Sequence, residues 1–368
     1  MIYIQKAFDK VPHAELLLKL RYQFSINEQL VQWLRAFLTE RRQRVKIGKA
    51  YSTWLTVTSG VPQGSVLAPL LFILYINDLR LESNKIKLLK FADDTKLYSE
   101  VSSSEDVFAL QSKLDKLGNW FKTWRMPVNI NKCGVLEFSS SNLTNTYKLL
   151  GENLKIAQSE RDLGLLINSD FSCKQHIVSI ISRAMKLYGW LVRNLVTRQY
   201  IIKIRLYKAI IRPTLEYATT VWSPSRIAQI VQVEKVQRKF TKFALNWPNN
   251  CSYEERLQEL KLPTLVWRRR YLDLLMTHRI IHGATEIRQS LFQLQSEHST
   301  LNLRRHRFAI YKTPFRSDIY KHHFVNRVVD NWNNLPSDIL DIVNFGEFKK
   351  RLKIYLTLNL NPFDWNYK

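Results

Sequence analysis

The chain has 368 residues, 45% of them hydrophobic, which is too apolar for a disordered chain and long enough for two or three domains. It carries 56 Lys and Arg against 31 Asp and Glu, a net charge of +25. The excess is spread out, with 21 basic and 13 acidic residues over 1–150, 16 and 6 over 151–250, and 19 and 12 over 251–368. The positive field therefore belongs to the folded body, and a nucleic-acid backbone is its natural partner. No segment approaches 18 uninterrupted apolar residues and no signal peptide is evident, so a membrane partner is not expected. Cys133, Cys173 and Cys251 are far apart and odd in number. They form neither a disulfide framework nor a zinc site, which points to a reducing intracellular compartment, nuclear or cytoplasmic.

The first residues, Met1-Ile2-Tyr3-Ile4-Gln5, read as a buried strand entered midway, as in a fragment of a longer protein. Ala14 to Leu20 and Asn27 to Leu38 read as helices, the second with Leu30, Val31, Leu34, Phe37 and Leu38 on one face. Arg41-Arg42-Gln43-Arg44-Val45-Lys46-Ile47 and Gly48 start a hairpin whose return strand is Thr53 to Thr58. A solvated basic edge and a phosphate-contacting surface are equally open readings of Arg41, Arg42 and Arg44. Ser59-Gly60-Val61-Pro62-Gln63-Gly64-Ser65 is a constrained loop feeding an apolar, buried helix from Val66 to Leu79. Its spacing matches neither a Walker loop nor a dinucleotide fingerprint, and a tight loop with a Ser cap would look the same.

Lys85 to Ala92 and Thr95 to Tyr98 read as two strands joined at Asp93-Asp94. Adjacent carboxylates on a hairpin tip repel, and a divalent metal is the natural counter-charge. An ordinary acidic turn is the competing reading. Glu105 to Trp124 is a long amphipathic helix with Val107, Leu110, Leu114, Leu117 and Phe121 in step. Strands are expected at Val135 to Phe138, Tyr147 to Leu150 and Arg161 to Asn168. Residues 1–168 thus form an α+β domain.

Beyond Cys173 the sequence turns helical. Ser179 to Asn194 and Tyr200 to Ile211 carry Arg183, Lys186, Arg193, Lys203, Arg205 and Lys208, a candidate nucleic-acid cradle. Pro213 should break the second helix, and Arg226 to Leu245 should form another. Trp222, Trp247 and Trp267 punctuate the region, and core packing is the simplest role for each. Thr285 to Lys312 reads as a polar loop. Helices are expected at Ile319 to Asn333 and Phe345 to Leu356. The division is 1–168, a basic helical domain at 169–284, and a linker with a helical extension at 285–368.

Three stretches in order, Lys6-Ala7-Phe8-Asp9-Lys10-Val11-Pro12-His13, Ser59 to Leu79, and Phe91-Ala92-Asp93-Asp94, resemble the palm motifs of reverse transcriptases of non-LTR (LINE-like) retrotransposons. Asn129 to Phe138 resembles the fourth palm motif, Glu160-Arg161-Asp162-Leu163-Gly164 the primer grip, and Trp332-Asn333-Asn334-Leu335-Pro336 a segment near the end of such proteins. The resemblance implies a right-hand polymerase palm with a helical thumb and a helical C-terminal extension. It implies RNA-directed DNA synthesis, nucleotidyl transfer with two Mg²⁺ (or Mn²⁺) ions. RNA template, DNA primer, their RNA–DNA hybrid and deoxynucleoside triphosphates are the implied partners. Asp93 matches the metal ligand and Asp94 its neighbour. Lys132 matches a lysine proposed to protonate pyrophosphate. Lys6 and Ala7 lie where backbone amides meet the triphosphate, and Phe8 matches the residue that screens the sugar 2′ position. Gln63 and Gly64 match the loop that contacts template and nucleotide.

Two departures stand out. The first motif should open with a metal-bridging Asp, and here that position is Tyr3, whereas Asp9 falls six residues later. A neutral phenol is a poor Mg²⁺ ligand. The fingers that precede this motif are missing from the sequence. The combined expectation is a polymerase by descent that is inactive as this chain. The alternative is a non-catalytic basic scaffold for RNA or RNA–DNA hybrid.

Overall fold

The computed structural model describes residues 1–138, 145–246, 251–285, 287, 291–295 and 306–364. They divide into two compact units, Met1–Glu160 and Arg161–Lys368.

In the central sheet of the first unit, Lys87–Phe91 alternates exposed and half-buried residues along its length. Strand β1 (Ile2–Tyr3) pairs antiparallel with Asp94–Tyr98, which pairs in turn with Lys87–Phe91. Ile2 and Thr95 are register partners and both are buried, so the intervening Tyr3 and Asp94 face the other way. The helices His13–Tyr22 (α1), Glu28–Leu38 (α2), Leu67–Ile76 (α3) and Ser104–Thr123 (α4) supply the core. Asn27 caps α2 by accepting from the Leu30 amide, and Ser103 with Asp106 forms a capping box on α4. Lys90 donates to the carbonyls of Ile76 and Asn77 and so satisfies the C-terminal end of α3.

The expectation that α3 is buried needs correction. Leu71, Phe72, Tyr75 and Ile76 are buried, but Val66 before it and Leu70 and Ile73 on it are exposed. A helix apolar all round does not declare which face the fold covers. Lys19 is another surprise: it is fully buried beneath Tyr75, Trp120 and Trp124 and bonded to the Tyr75 carbonyl and the Asp78 carboxylate. Burial pushes its pKa down to about 8.

The second unit holds two apolar clusters, one from Ile177 to Leu265 and one from Trp267 to Leu356. Trp222, Trp267 and Trp332 are core residues, while Trp247 lies outside the described residues. The expected strand Arg161–Asn168 is two strands, Ser159–Asp162 and Leu165–Asn168, because Leu163 and Gly164 turn the chain at positive φ. Pro213 does not break its helix either. A π-helical stretch, Tyr207–Ile211, joins Tyr200–Leu206 to Arg212–Glu216, and the Arg212 amide reaches back to the Tyr207 carbonyl. The wider turn absorbs the proline's missing N–H inside a continuing helix.

The single helix expected at Ile319 to Asn333 is three short ones, Asp318–His322, Phe324–Arg327 and Val329–Asn333. Phe324, Asn326, Val328, Val329 and Trp332 must all be buried. Phe324, Val328, Val329 and Trp332 could share one face of a regular helix, but Asn326 could not, and the chain is extended at His323 (ψ 148°), which separates the first short helix from the second. Half of the polar stretch 285–312 lies outside the described residues. Among the described residues, no helix is long and apolar enough to cross a membrane.

Candidate active site and nucleic-acid interface

The site lies on the outward face of the central sheet. Tyr3, Asp94 and Phe91 are opposed in one row across three strands. Asp93 sits in the two-residue turn before Asp94, and Ala92 ahead of it is held at φ +50°. That left-handed backbone costs an Ala about 1 kcal/mol, which the flanking ladder sustains. The expected strand boundary shifts by one, since Asp94 is the first residue of its strand.

On its other edge β1 runs beside the fourth-motif segment. Asn129 donates to the Tyr3 carbonyl at 2.8 Å, Gln5 to the Pro127 carbonyl at 2.8 Å, and Ile4 bridges Val128. This brings the Ile130–Lys132 turn alongside Tyr3, with Lys132 exposed. Cys133 accepts from the Tyr3 amide at 3.3 Å and donates to the Asn129 carbonyl. Burial pushes its thiol pKa up, so it is an inert packing group.

The Tyr3 hydroxyl donates to Glu160 Oε1 at 2.7 Å. Nearby, a Cβ on Gly134 would lie 3.3 Å from the Lys155 carbonyl oxygen, so the glycine lets the Lys155–Ala157 strand pack closely beside it. The position that should carry a metal-bridging carboxylate therefore carries a phenol already committed to a neighbouring acid. Among the described residues, no three His, Cys, Asp or Glu side chains are placed to hold a metal. The donors present do not fit a two-metal centre.

A second feature ties the first motif to the glycine loop. The Gly60 amide donates to the Val11 carbonyl and the Val61 amide to the Phe8 carbonyl, each at 2.8 Å. Ser59 Oγ donates to the Asp9 carbonyl at 2.9 Å, Gln63 Nε2 to Asp9 Oδ1 at 2.7 Å, and His13 Nε2 meets the Gly60 carbonyl at 2.8 Å. Gly60 has φ +91°, and a Cβ would lie 2.7 Å from Asp9 Cα. Only glycine permits this approach. The two loops thus bring Lys6, Ala7 and Phe8 together with Gln63, and Gly64 follows at φ +86° in open space. Ala7 is buried and Lys6 exposed, and Phe8 stacks on Phe72 of α3 with centroids 4.7 Å apart.

In the second unit, helix α5 (Lys174–Asn194) presents a polar face. Lys174, Gln175, Val178, Ser179, Ser182, Arg183 and Lys186 line a groove of about 640 Å³ along it. Arg193 and the half-exposed Trp190 continue that stripe at helical spacing. Arg205 and Lys208 are exposed on the following helical stretch. Lys203 is not a contact residue: it is buried, donates to the Phe243 carbonyl at 2.9 Å and bonds Asn246. It closes the C-terminal end of the helix Ile227–Ala244.

Sequence reasoning did not foresee Glu160 as the partner of Tyr3, nor Asp9 and His13 as the anchors of the glycine loop. Glu160 and Asp9 lie inside motifs already singled out, but no spacing rule says where their carboxylates point.

The three-stranded sheet thus sets the Asp93-Asp94 hairpin beside the first-motif strand. Residues 2–157 match the family model for reverse transcriptase (RNA-dependent DNA polymerase). The chain is 26% identical over 279 residues to the RNA-directed DNA polymerase from mobile element jockey of Drosophila melanogaster, covering 71% of this chain and 30% of that protein. It is 26% identical over 295 residues to the probable RNA-directed DNA polymerase from transposon X-element of the same species, covering 75% and 32%. It is 28% identical over 145 residues to a retrovirus-related Pol polyprotein from type-1 retrotransposable element R2 of Popillia japonica, covering 36% and 23%. Residues 2–157 thus carry a reverse transcriptase domain, and the chain is similar over most of its length to RNA-directed DNA polymerases of non-LTR retrotransposons. It spans about a third of the length of the first two relatives.

Proposed function

We propose that this chain is an RNA-directed DNA polymerase by descent whose two-metal nucleotidyl transfer no longer runs, and which binds RNA or RNA–DNA hybrid. The observation that carries the reading is the Tyr3–Glu160 bond of 2.7 Å, set directly opposite Asp94. Mg²⁺ or Mn²⁺ would meet the carboxylates of Asp93 and Asp94 without a third acid facing them, and a phenol donating to Glu160 offers no charge to bridge two cations. Lys132 then has no reaction to serve.

The nucleotide-facing surface is assigned to the Lys6–Phe8 backbone with Gln63 and Gly64. The hybrid is assigned to the α5 face, where Lys174, Arg183, Lys186 and Arg193 supply charge and Ser179 and Ser182 supply hydrogen bonds. In these terms residues 1–168 act as palm, 169–284 as thumb and 285–368 as extension.

Primer extension on an RNA template, with Mg²⁺ and with Mn²⁺, tests the catalytic half. The chain should bind a primed template and add no nucleotide. Extension that disappears in Asp93→Ala would overturn the inactive reading, and absence of hybrid binding at low salt would overturn the binding reading.

A further inference from the structure

The two-stranded ribbon between Arg41 and Thr58 has one face that no role above uses. Its outer strands are Arg42–Gln43 and Leu55–Thr56, and its inner strands Lys46–Ile47 and Ala50–Tyr51, turning at Gly48 with φ +59°. The Val57 amide closes its base on the Arg41 carbonyl. Residues 42 to 56 are all exposed.

The register slips along the ribbon. Gln43 opposes Leu55, but Lys46 opposes Tyr51, so Arg44 and Val45 face three residues, Ser52 to Trp54. That is a bulge. In an unbroken strand Tyr51 and Trp54, three apart, would point to opposite faces. The bulge turns both to one side, and the Arg44 guanidinium lies 4.0 Å from the Tyr51 ring centre and 4.5 Å from that of Trp54. Lys46 lies 5.3 Å from the Tyr51 ring on the same face, and Arg42 is in phase with both cations.

The charge on this face is not neutralised locally. No Asp or Glu occurs from residue 41 to residue 77. Among the described residues, Arg42, Arg44, Lys46 and Lys49 make no ion pair. Half-exposed aromatic rings braced by an arginine and bordered by free cations suit unpaired bases on a phosphate backbone. A duplex keeps its base faces stacked away from such rings.

We infer that this ribbon is a single-strand nucleic-acid contact, distinct from the α5 face, in which Tyr51 and Trp54 stack bases and Arg42, Arg44 and Lys46 hold phosphates. The inference rests on the nucleic-acid-binding reading above and specialises it to the unpaired strand.

The test is fluorescence anisotropy with a labelled 12-nucleotide mixed-sequence RNA, alone and annealed to complementary DNA. The double variant Tyr51→Ala/Trp54→Ala should lose tenfold or more affinity for the single strand and less than twofold for the hybrid. Arg44→Ala should weaken the single strand in the same direction. Circular dichroism melts should overlay wild type, because every altered side chain is exposed. With 4-thiouridine in the RNA, cross-links should map to the peptide holding Tyr51 and Trp54. Unchanged single-strand affinity in the double variant, or equal loss for both ligands, overturns the inference while hybrid binding stands. The first of these outcomes, with the ribbon capturing a protein strand instead, would make it a protein-docking edge. Wild-type protein that binds neither ligand removes the underlying reading as well.

Discussion

Tyr3 is the residue on which the catalytic question turns, and its two neighbours predict opposite responses to substitution. Tyr3→Phe keeps the ring and removes the donor to Glu160. It should cost about 1–2 kcal/mol and leave the protein indifferent to divalent cations. Tyr3→Asp sets a carboxylate opposite Asp94 and within the same neighbourhood as Glu160. In EDTA, repulsion should lower its stability by about 2–3 kcal/mol, and Mn²⁺ should restore part of the loss. Melting curves with and without Mn²⁺ check this, and a wild-type protein stabilised as much as the Asp variant would contradict it. The vacancy of the acid was legible in the sequence, because Lys6-Ala7-Phe8-Asp9 fixes where it should stand. The hydrogen bond that fills the vacancy was not, because Glu160 is 157 residues away and only the fold brings it near.

At the scale of elements, period and caps located most of the helices, and failures arose where tertiary packing overrode a local rule. Pro213 continues a helix through a π turn, and the exposed stripe of α3 could not be read from a composition that is apolar on all sides. The helix Leu265–Ile281 shows what the sequence hid altogether. His278 on it is buried, donates Nε2–H to the Ile342 carbonyl at 2.6 Å and stacks on Phe348 at 3.9 Å. Its Nδ1 is buried with no hydrogen-bond partner. Burial, with His282 beside it, pushes the pKa of His278 down to about 4. The unfolded histidine takes up a proton near 6.5 and the folded one only near 4, so the unfolded state binds more protons in between. The stability held above pH 6.5 should therefore fall by about 3 kcal/mol as the pH drops from 6.5 to 4. His278→Gln, which can still donate to Ile342, should flatten that fall. Urea midpoints from pH 7 to pH 4.5 measure it, and an equal slope in the variant would reassign the effect to the neighbouring His282, whose pKa burial also pushes down.

For the whole molecule, the net charge of +25 is a distributed positive field, and the structure shows which charges are available to a polyanion. Lys203 is consumed as a helix cap, and Arg268 is bonded twice to Glu216 at 2.7 Å, so neither contributes to the outer field as a free cation. Lys174, Arg183, Lys186 and Arg193 remain exposed along one 21-residue helix. Each phosphate neutralised on a duplex releases condensed counterions and adds roughly 0.9 to the steepness of log affinity against log salt. Four contacts on α5 therefore give a slope of about −4 for hybrid binding. The pair Lys186→Ala/Arg193→Ala should reduce it to about −2, with affinity falling at every sequence alike, because phosphate contacts carry no base information. Titrations of one hybrid from 50 to 300 mM KCl, a range chosen to span roughly one Debye-length halving, give the slope directly. A slope unchanged in the double variant would move the duplex site off α5, and a flat response in wild type would mean that the positive field serves solubility and not nucleic acid.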